Sequence, residues 1–114
     1  MKEKQASVRF SHIGKALHAE ITGEIDHHTA KSIRESIDGQ IYALTPKEVI
    51  LSLSKVGFMD SSGLGLIVGR LVTAKEVGCT ITLTGVDART MKIFEMAGLE
   101  RMRGLTIQPL EEKR

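Results

Sequence analysis

The change from a strand pattern to a helix pattern in the middle of the chain constrains the fold most. Val49–Leu53 is a short, almost continuous apolar run, which is typical of a strand in a covered sheet. Downstream, the apolar residues fall at helical spacing: Leu64, Ile67, Val68, Leu71 and Val72. A strand that leads directly into a helix favours an α/β domain.

The same succession occurs earlier in the chain. Leu17–Thr22 alternates apolar and polar residues, which predicts a strand with one buried face, and we expect Gly23 to end it. From about Thr29 the period becomes helical, and Pro46 excludes further helix. The apolar face of this helix is formed by Ala30, Ile33, Ile37 and Ile41.

A third strand and helix follow the central pair. Thr80–Thr84 alternates as a strand, and a helix is expected to open at Val86–Arg89 and run through Met96. The central helix should extend from about Ser61 to Val77. We expect Gly78 and Gly98 to end the second and third helices. A first strand is predicted at Ser7–Phe10 and a last strand at Thr106–Gln108. We therefore predict a single α/β domain over residues 1–114, with its core at about 7–108. It should have a mixed sheet of four to five strands packed against three to four helices.

Composition excludes several functional classes. The chain has 114 residues, is 41% hydrophobic, and carries 16 basic and 14 acidic residues for a net charge of +2. This near balance, without clustered bases, gives no reason to expect nucleic acid as a partner. The single cysteine, Cys79, excludes an internal disulfide and fits a reducing compartment. Neither a signal peptide nor a bilayer-spanning apolar run is visible, so we expect a cytoplasmic protein without membrane contact.

The segment Asp60–Gly65 lies where the central helix should begin, and it has two interpretations. In the first, Asp60 or Ser61 caps the helix by accepting a bond from a free backbone N–H. In the second, Ser61 carries a phosphate, because the positive end of a helix stabilises an anion. Gly63 and Gly65 weaken the first helical turns. They indicate either that a partner approaches the backbone closely or that the helix packs tightly on the sheet.

A second polar cluster, Asp26–Thr29, precedes the first helix. Adjacent His27 and His28 suggest a metal or a phosphohistidine, but neighbouring side chains on a helix do not face the same way. Helix capping by Asp26 or His27 is the simpler interpretation. Glu24 and Asp26 also leave an acidic loop suited to an arginine of a partner. Elsewhere the sequence shows no catalytic triad, no paired carboxylates, no metal-ligand spacing and no phosphate loop, so we expect neither an enzyme nor a bound cofactor or metal.

Two stretches carry a resemblance to a known family. Gly23–Ala30 (GEIDHHTA) and Phe58–Gly65 (FMDSSGLG) are similar to the corresponding motifs of the bacterial anti-sigma factor antagonists, which are single-domain members of the STAS superfamily. The similarity extends from about Val8 to about Met102 and includes Met91–Leu99. It is strongest towards the sporulation branch, which antagonises the anti-sigma F factor.

The resemblance implies a function and a site. In this family the unphosphorylated antagonist binds an anti-sigma factor and so frees the sigma factor. The anti-sigma factor is also a serine kinase, which uses ATP to phosphorylate a serine that corresponds to Ser61, and a serine phosphatase reverses the modification. Asp26 corresponds to the residue that meets the partner's arginine. The free protein is expected to be a monomer. The expected partner-binding residues are Glu24, Asp26, His27, Asp60, Ser61, Ser62, Gly63, Leu64 and Gly65.

Two alternatives remain open from the sequence. One is a STAS subunit of a general stress-signalling assembly, which would also carry a phosphorylated residue in the loop of Ser61. The other is a phosphocarrier or nucleotide-hydrolysing protein that uses His27, His28 or the glycines. An acid-stable phosphoserine that requires a partner kinase would distinguish the antagonist from the second alternative.

Overall fold

A computed structural model describes residues 5–111 as a five-stranded sheet with helices packed on one face. The predicted domain of residues 1–114 extends beyond that range at both ends, while its expected core of 7–108 lies within it. The α/β class and the mixed sheet are confirmed. In chain order the elements are β1 (Ala6–Ile13), β2 (Ala16–Ile25), α1 (Ala30–Leu44), β3 (Glu48–Met59), α2 (Ser61–Glu76), β4 (Thr80–Val86), α3 (Ala88–Met96), a short 3-10 helix (Leu99–Arg101) and β5 (Leu105–Pro109).

The topology determines where a site can form. The strands are ordered β1-β2-β3-β4-β5, with β1 antiparallel to β2 and all other neighbours parallel. Each pair of parallel neighbours is joined through a helix, so α1, α2 and α3 begin just after the carboxyl ends of β2, β3 and β4. Because parallel strands end at the same edge of a sheet, the starts of these three helices lie along one edge.

The core occupies the side of the sheet that the helices cover. Alternate residues of β2, β3 and β4 point into it, whereas most intervening positions, such as His18, Ser52 and Thr84, are polar and partly exposed. The predicted apolar face of α1 is confirmed, since its three buried isoleucines are almost inaccessible to solvent. The strand and helix residues of this core include Leu17, Ala19, Ile21, Val49, Leu51, Ile81, Leu83, Ile33, Ile37, Ile41, Leu66, Ile67 and Leu71.

The prediction that Gly23 ends β2 was wrong. The strand continues to Ile25, and Gly23 has a φ of 111°, which favours glycine. A Cβ at this position would overlap the backbone carbonyl of Gln5, so the glycine lets a neighbouring backbone approach. The pairing of β2 with β3 also shifts register twice, and these irregularities accompany an extension of β3 from the predicted end at Leu53 to Met59.

Helices α2 and α3 have side-chain N-caps, whereas the N-cap Thr29 of α1 makes no side-chain cap bond. The central helix α2 begins at Ser61 as predicted and ends at Glu76, and Gly78 follows with a φ of 73°. At α3, the side chain of Asp87 accepts a hydrogen bond from the amide of Thr90 at 2.8 Å. The Leu99–Arg101 turn was not predicted.

Candidate functional site

The junction between β3 and α2 leaves one serine hydroxyl open. Asp60 Oδ1 accepts the amide hydrogen of Ser62 at 2.7 Å, so Asp60 caps the helix and Ser61 does not. Ser61 is the first residue of α2, it is exposed, and its hydroxyl bonds to no other described residue. A reactive oxygen is therefore presented to solvent at the positive end of a helix dipole.

The glycines of this junction have different environments. Gly63 is buried, and a Cβ there would overlap Cγ and Sδ of Met59, so its missing side chain is explained by packing within the chain. Gly65 is exposed, and a Cβ there would meet nothing in the described chain within 4 Å. Of the two, only Gly65 offers a backbone that a partner can approach.

The junction between β2 and α1 is closed by internal hydrogen bonds. Asp26, which is 5% exposed, accepts the amides of His28 and Thr29 on Oδ1 at 2.9 and 3.1 Å. Thr29 Oγ1 accepts the amide of Asp26 at 3.0 Å and donates to the carbonyl of Glu24 at 2.7 Å. The N-cap of α1 is Thr29, whose side chain makes no capping bond, so the prediction that Asp26 or His27 caps the helix was wrong. The carboxylate of Asp26 instead shapes the turn that precedes the helix.

The structure brings the two polar motifs of the sequence together. Glu24 is paired with Phe58 and Ile25 with Met59 across the end of the sheet. The amide of Asp60 donates to the carbonyl of Ile25 at 3.1 Å, which joins the two loops directly. The expected partner residues differ in exposure: His27, Ser61 and Gly65 are exposed, Glu24, Asp60, Ser62 and Leu64 are partly buried, and Asp26 and Gly63 are buried.

A groove of about 340 Å³ separates the starts of α1 and α2. It is lined by His27, Ala30, Lys31, Arg34, Ser62, Gly65 and Leu66. Lys31 and Arg34 were not among the predicted site residues, because both lie off the apolar face of α1. Their spacing was the available signal, since residues three apart share one side of a helix.

A third loop at the same edge was also missed. The guanidinium carbon of Arg89 lies 5.9 Å from the centroid of the Phe58 ring, within the range of a cation–π contact. This contact connects the start of α3 to the end of β3. The available sequence signal for this loop was Asp87, which follows β4 and caps α3, and so marks the start of a helix at this edge.

A buried ion pair holds α1 against α2. Arg70 Nε lies 2.7 Å from Oδ1 of Asp38, and Arg70 is 5% exposed. Burial lowers the pKa of the Arg70 guanidinium, the charge of Asp38 opposes that change, and the charge of Arg34 adds to it. Farther along the same helices, the Tyr42 hydroxyl donates to Glu76 Oε1 at 2.9 Å, and this hydrogen bond raises the pKa of Tyr42. The two helices that start at the site are thus fixed to each other.

Residues 5–111 contain neither a metal-binding cluster nor a helix that could span a membrane. The described residues include no group of three or more His, Cys, Asp or Glu side chains that could hold a metal ion. Within the same range, every helix is too short or too polar to cross a membrane.

The fold and the sequence both match known proteins. The STAS domain family matches residues 7–113. An anti-sigma F factor antagonist of Paenibacillus polymyxa is 33% identical over 92 residues, which cover 81% of this chain and 79% of that protein. An anti-sigma-B factor antagonist of Listeria monocytogenes is 32% identical over 80 residues, covering 69% and 68% of the two chains.

Solved structures agree with this assignment. The anti-sigma factor antagonist SpoIIAA in its unphosphorylated form has a TM-score of 0.75 and 25% identity, covering 89% of this chain and 87% of that chain. The phosphorylated form of SpoIIAA, a Bacillus cell fate determinant, has a TM-score of 0.69 and 25% identity, covering 89% and 90%. The fold and the site therefore define a STAS domain. The chain belongs to the STAS family and, within it, to the anti-sigma factor antagonists.

Proposed function

We propose that this chain is a partner switch controlled by Ser61. Unphosphorylated, it binds an anti-sigma factor and so releases a sigma factor. The anti-sigma factor, acting as a serine kinase with ATP, phosphorylates Ser61 and ends the binding, and a serine phosphatase restores it. The observation that carries the proposal is the exposed, unbonded hydroxyl of Ser61 beside a helix cap that Asp60 already supplies.

The local geometry supports modification without unfolding. Because Asp60 rather than Ser61 caps α2, a phosphate on Ser61 leaves the cap in place. The phosphate would add about −1.5 to −2 charges at pH 7. The dipole of α2 and its free amides favour that charge. We therefore expect the fold to persist and the change to be confined to the surface.

The switch follows from charge at the interface. A partner surface that fits a neutral hydroxyl would meet a phosphate next to the Asp60 carboxylate, so like-charge repulsion and desolvation would both weaken the complex. A loss of about 2.7 kcal/mol corresponds to roughly a hundredfold in affinity.

The proposed contact surface surrounds Ser61. It includes Glu24, His27, Ser62, Leu64 and Gly65, all at least partly exposed. For Asp26, which is buried and bonded within its loop, we propose that it acts mainly by fixing the loop that a partner's arginine approaches. Gly63 contributes through its packing on Met59.

The biological setting is part of the proposal. The similarity to an anti-sigma F factor antagonist supports a role in sporulation, as a positive regulator of sigma-dependent transcription. A kinase that consumes ATP places both proteins in the cytoplasm.

A binding titration tests this function. The anti-sigma kinase encoded in the same genome is titrated with wild type, Ser61→Ala and Ser61→Asp, with Ser36→Ala, an exposed serine outside the proposed contact surface, as the control. ATP is then added, and the phosphate is located by mass spectrometry. We expect wild type, Ser61→Ala and Ser36→Ala to bind, Ser61→Asp to bind about a hundredfold more weakly, and the phosphate to lie on Ser61. Phosphate on Ser62 or on a histidine, or full affinity in Ser61→Asp, would contradict the proposal.

A further inference from the structure

We propose that the groove between the starts of α1 and α2 binds an acidic segment of the anti-sigma partner, with Lys31 and Arg34 recognising its carboxylates. This inference rests on the proposed function and adds a second contact to it. The exposed hydroxyl of Ser61 reports the modification state, whereas the groove would supply electrostatic recognition through the start of α1.

Arg34 is available for such a contact. It is exposed and has no ion pair among residues 5–111. The acid one turn farther along α1, Asp38, lies 2.7 Å from the buried Arg70 and is therefore already paired. Arg70 thus pairs the acid one turn away on the helix, and the exposed Arg34 side chain lines the groove.

Lys31 adds a second positive charge to the same wall. Its ammonium lies 3.9 Å from Glu35, and the two side chains are 74% and 61% exposed, so the pair is weak and easily exchanged. His27 lies at the end of the groove nearest the α1 start. A carboxylate that replaces solvent here would meet two side chains of opposite charge.

The opposite wall also suits an acid. Ser62 and Gly65 belong to the first turns of α2, whose dipole is positive at this end. Gly65 lacks a side chain and leaves room for an approaching chain, and Ala30 and Leu66 provide apolar contact for methylene groups. Among the seven residues that line the groove, none is acidic.

Charge is distributed unequally around Ser61. Acids lie at the strand ends, where Glu24 and Asp60 flank the loop, and the bases Lys31 and Arg34 line the groove. A partner that places a base over the first region and an acid over the second can dock in one orientation only. The groove therefore raises the specificity and the association rate of binding as well as the affinity.

The experiment uses the full chain and its anti-sigma kinase. Lys31→Gln/Arg34→Gln is compared with Lys75→Gln/Arg103→Gln, which removes two exposed charges away from the groove. Circular dichroism establishes that both variants fold. We expect the groove variant to bind about tenfold more weakly, mainly through slower association, and to lose most of its salt dependence, while the control variant binds like wild type.

A photo-cross-linking amino acid identifies the occupant. Placed at Arg34, it should capture a partner peptide rich in Asp and Glu, and placed at Lys75 it should not. Capture of a peptide without acids, or equal affinity in wild type and the groove variant, would overturn the proposal. If the groove variant loses no affinity but its Ser61-phosphorylated form binds more tightly, the groove holds the chain's own phosphoserine and the proposal is wrong. If wild type binds no anti-sigma factor, both the proposed function and the proposed role of the groove are wrong. If wild type binds and the groove variant binds equally well, only the proposed role of the groove is wrong.

Discussion

The starts of α1 and α2 each carry an aspartate and a hydroxyl residue, but only one of the two hydroxyls is bonded within the chain. At α1, the carboxylate of Asp26 and the hydroxyl of Thr29 bond to each other's backbone, and both side chains are buried. At α2, Asp60 caps the helix without help from Ser61, and the serine hydroxyl faces solvent. The aspartate and the hydroxyl residue close the loop where the hydroxyl is bonded, and they leave the hydroxyl open to solvent where it is not.

Removal of the Asp26 carboxylate from the turn before α1 should give the largest loss of stability. Asp26→Ala leaves two amides without their acceptor in a buried loop, so we expect the free energy of unfolding to fall by about 2–3 kcal/mol. Asp60→Ala, the matched change at α2, removes one partly buried capping bond and should cost about 1 kcal/mol. Denaturant unfolding measures both. Equal losses would mean that the two helix starts do not differ as described.

The two glycines of α2 separate packing from partner contact. Gly63→Ala places a Cβ against Met59 and should destabilise the fold by about 1–3 kcal/mol despite the better helix propensity of alanine. Gly65→Ala has free space and should stabilise it by about 0.5–1 kcal/mol. Thermal unfolding is measured together with affinity for the anti-sigma kinase. If Gly65→Ala keeps its stability but loses binding, a partner approaches the backbone at this glycine; a destabilised Gly65→Ala would contradict the open environment.

The smallest change in the free energy of unfolding is expected for substitution of Ser61. Its hydroxyl forms no bond to a described residue, so Ser61→Ala should change the free energy of unfolding by less than about 0.5 kcal/mol. Two-dimensional NMR of the phosphorylated and unphosphorylated forms should show shifts limited to the edge around Ser61. A marked loss of stability in Ser61→Ala, or shifts throughout the core, would show that the α2 start is as closed as the α1 start.

Local patterns in the sequence predicted the helices well. The isoleucine face of α1 and the start of α2 at Ser61 follow from apolar spacing and capping residues that act within a few positions. These features depend on neighbours along the chain and are therefore visible without a structure.

Features that depend on pairing between distant segments were not predictable. Gly23 resembles a strand stop until Gln5 is seen to approach it, and β3 continues past Leu53 only because β2 pairs with it in a shifted register. The same holds for the site. The motifs containing Asp26 and Ser61 were recognised, but the groove formed with Lys31 and Arg34 exists only because α1 and α2 start side by side.

The buried ion pair between Arg70 and Asp38 has a consequence for the energetics of association. Because it fixes α1 to α2, the two helix starts form one preorganised platform, and a partner need not spend binding free energy to order them. Affinity is then determined by the complementarity of the docked surfaces rather than by the population of a binding-competent conformer. A single phosphate on Ser61 would then lower the affinity at the interface itself, without a change of conformation elsewhere in the domain.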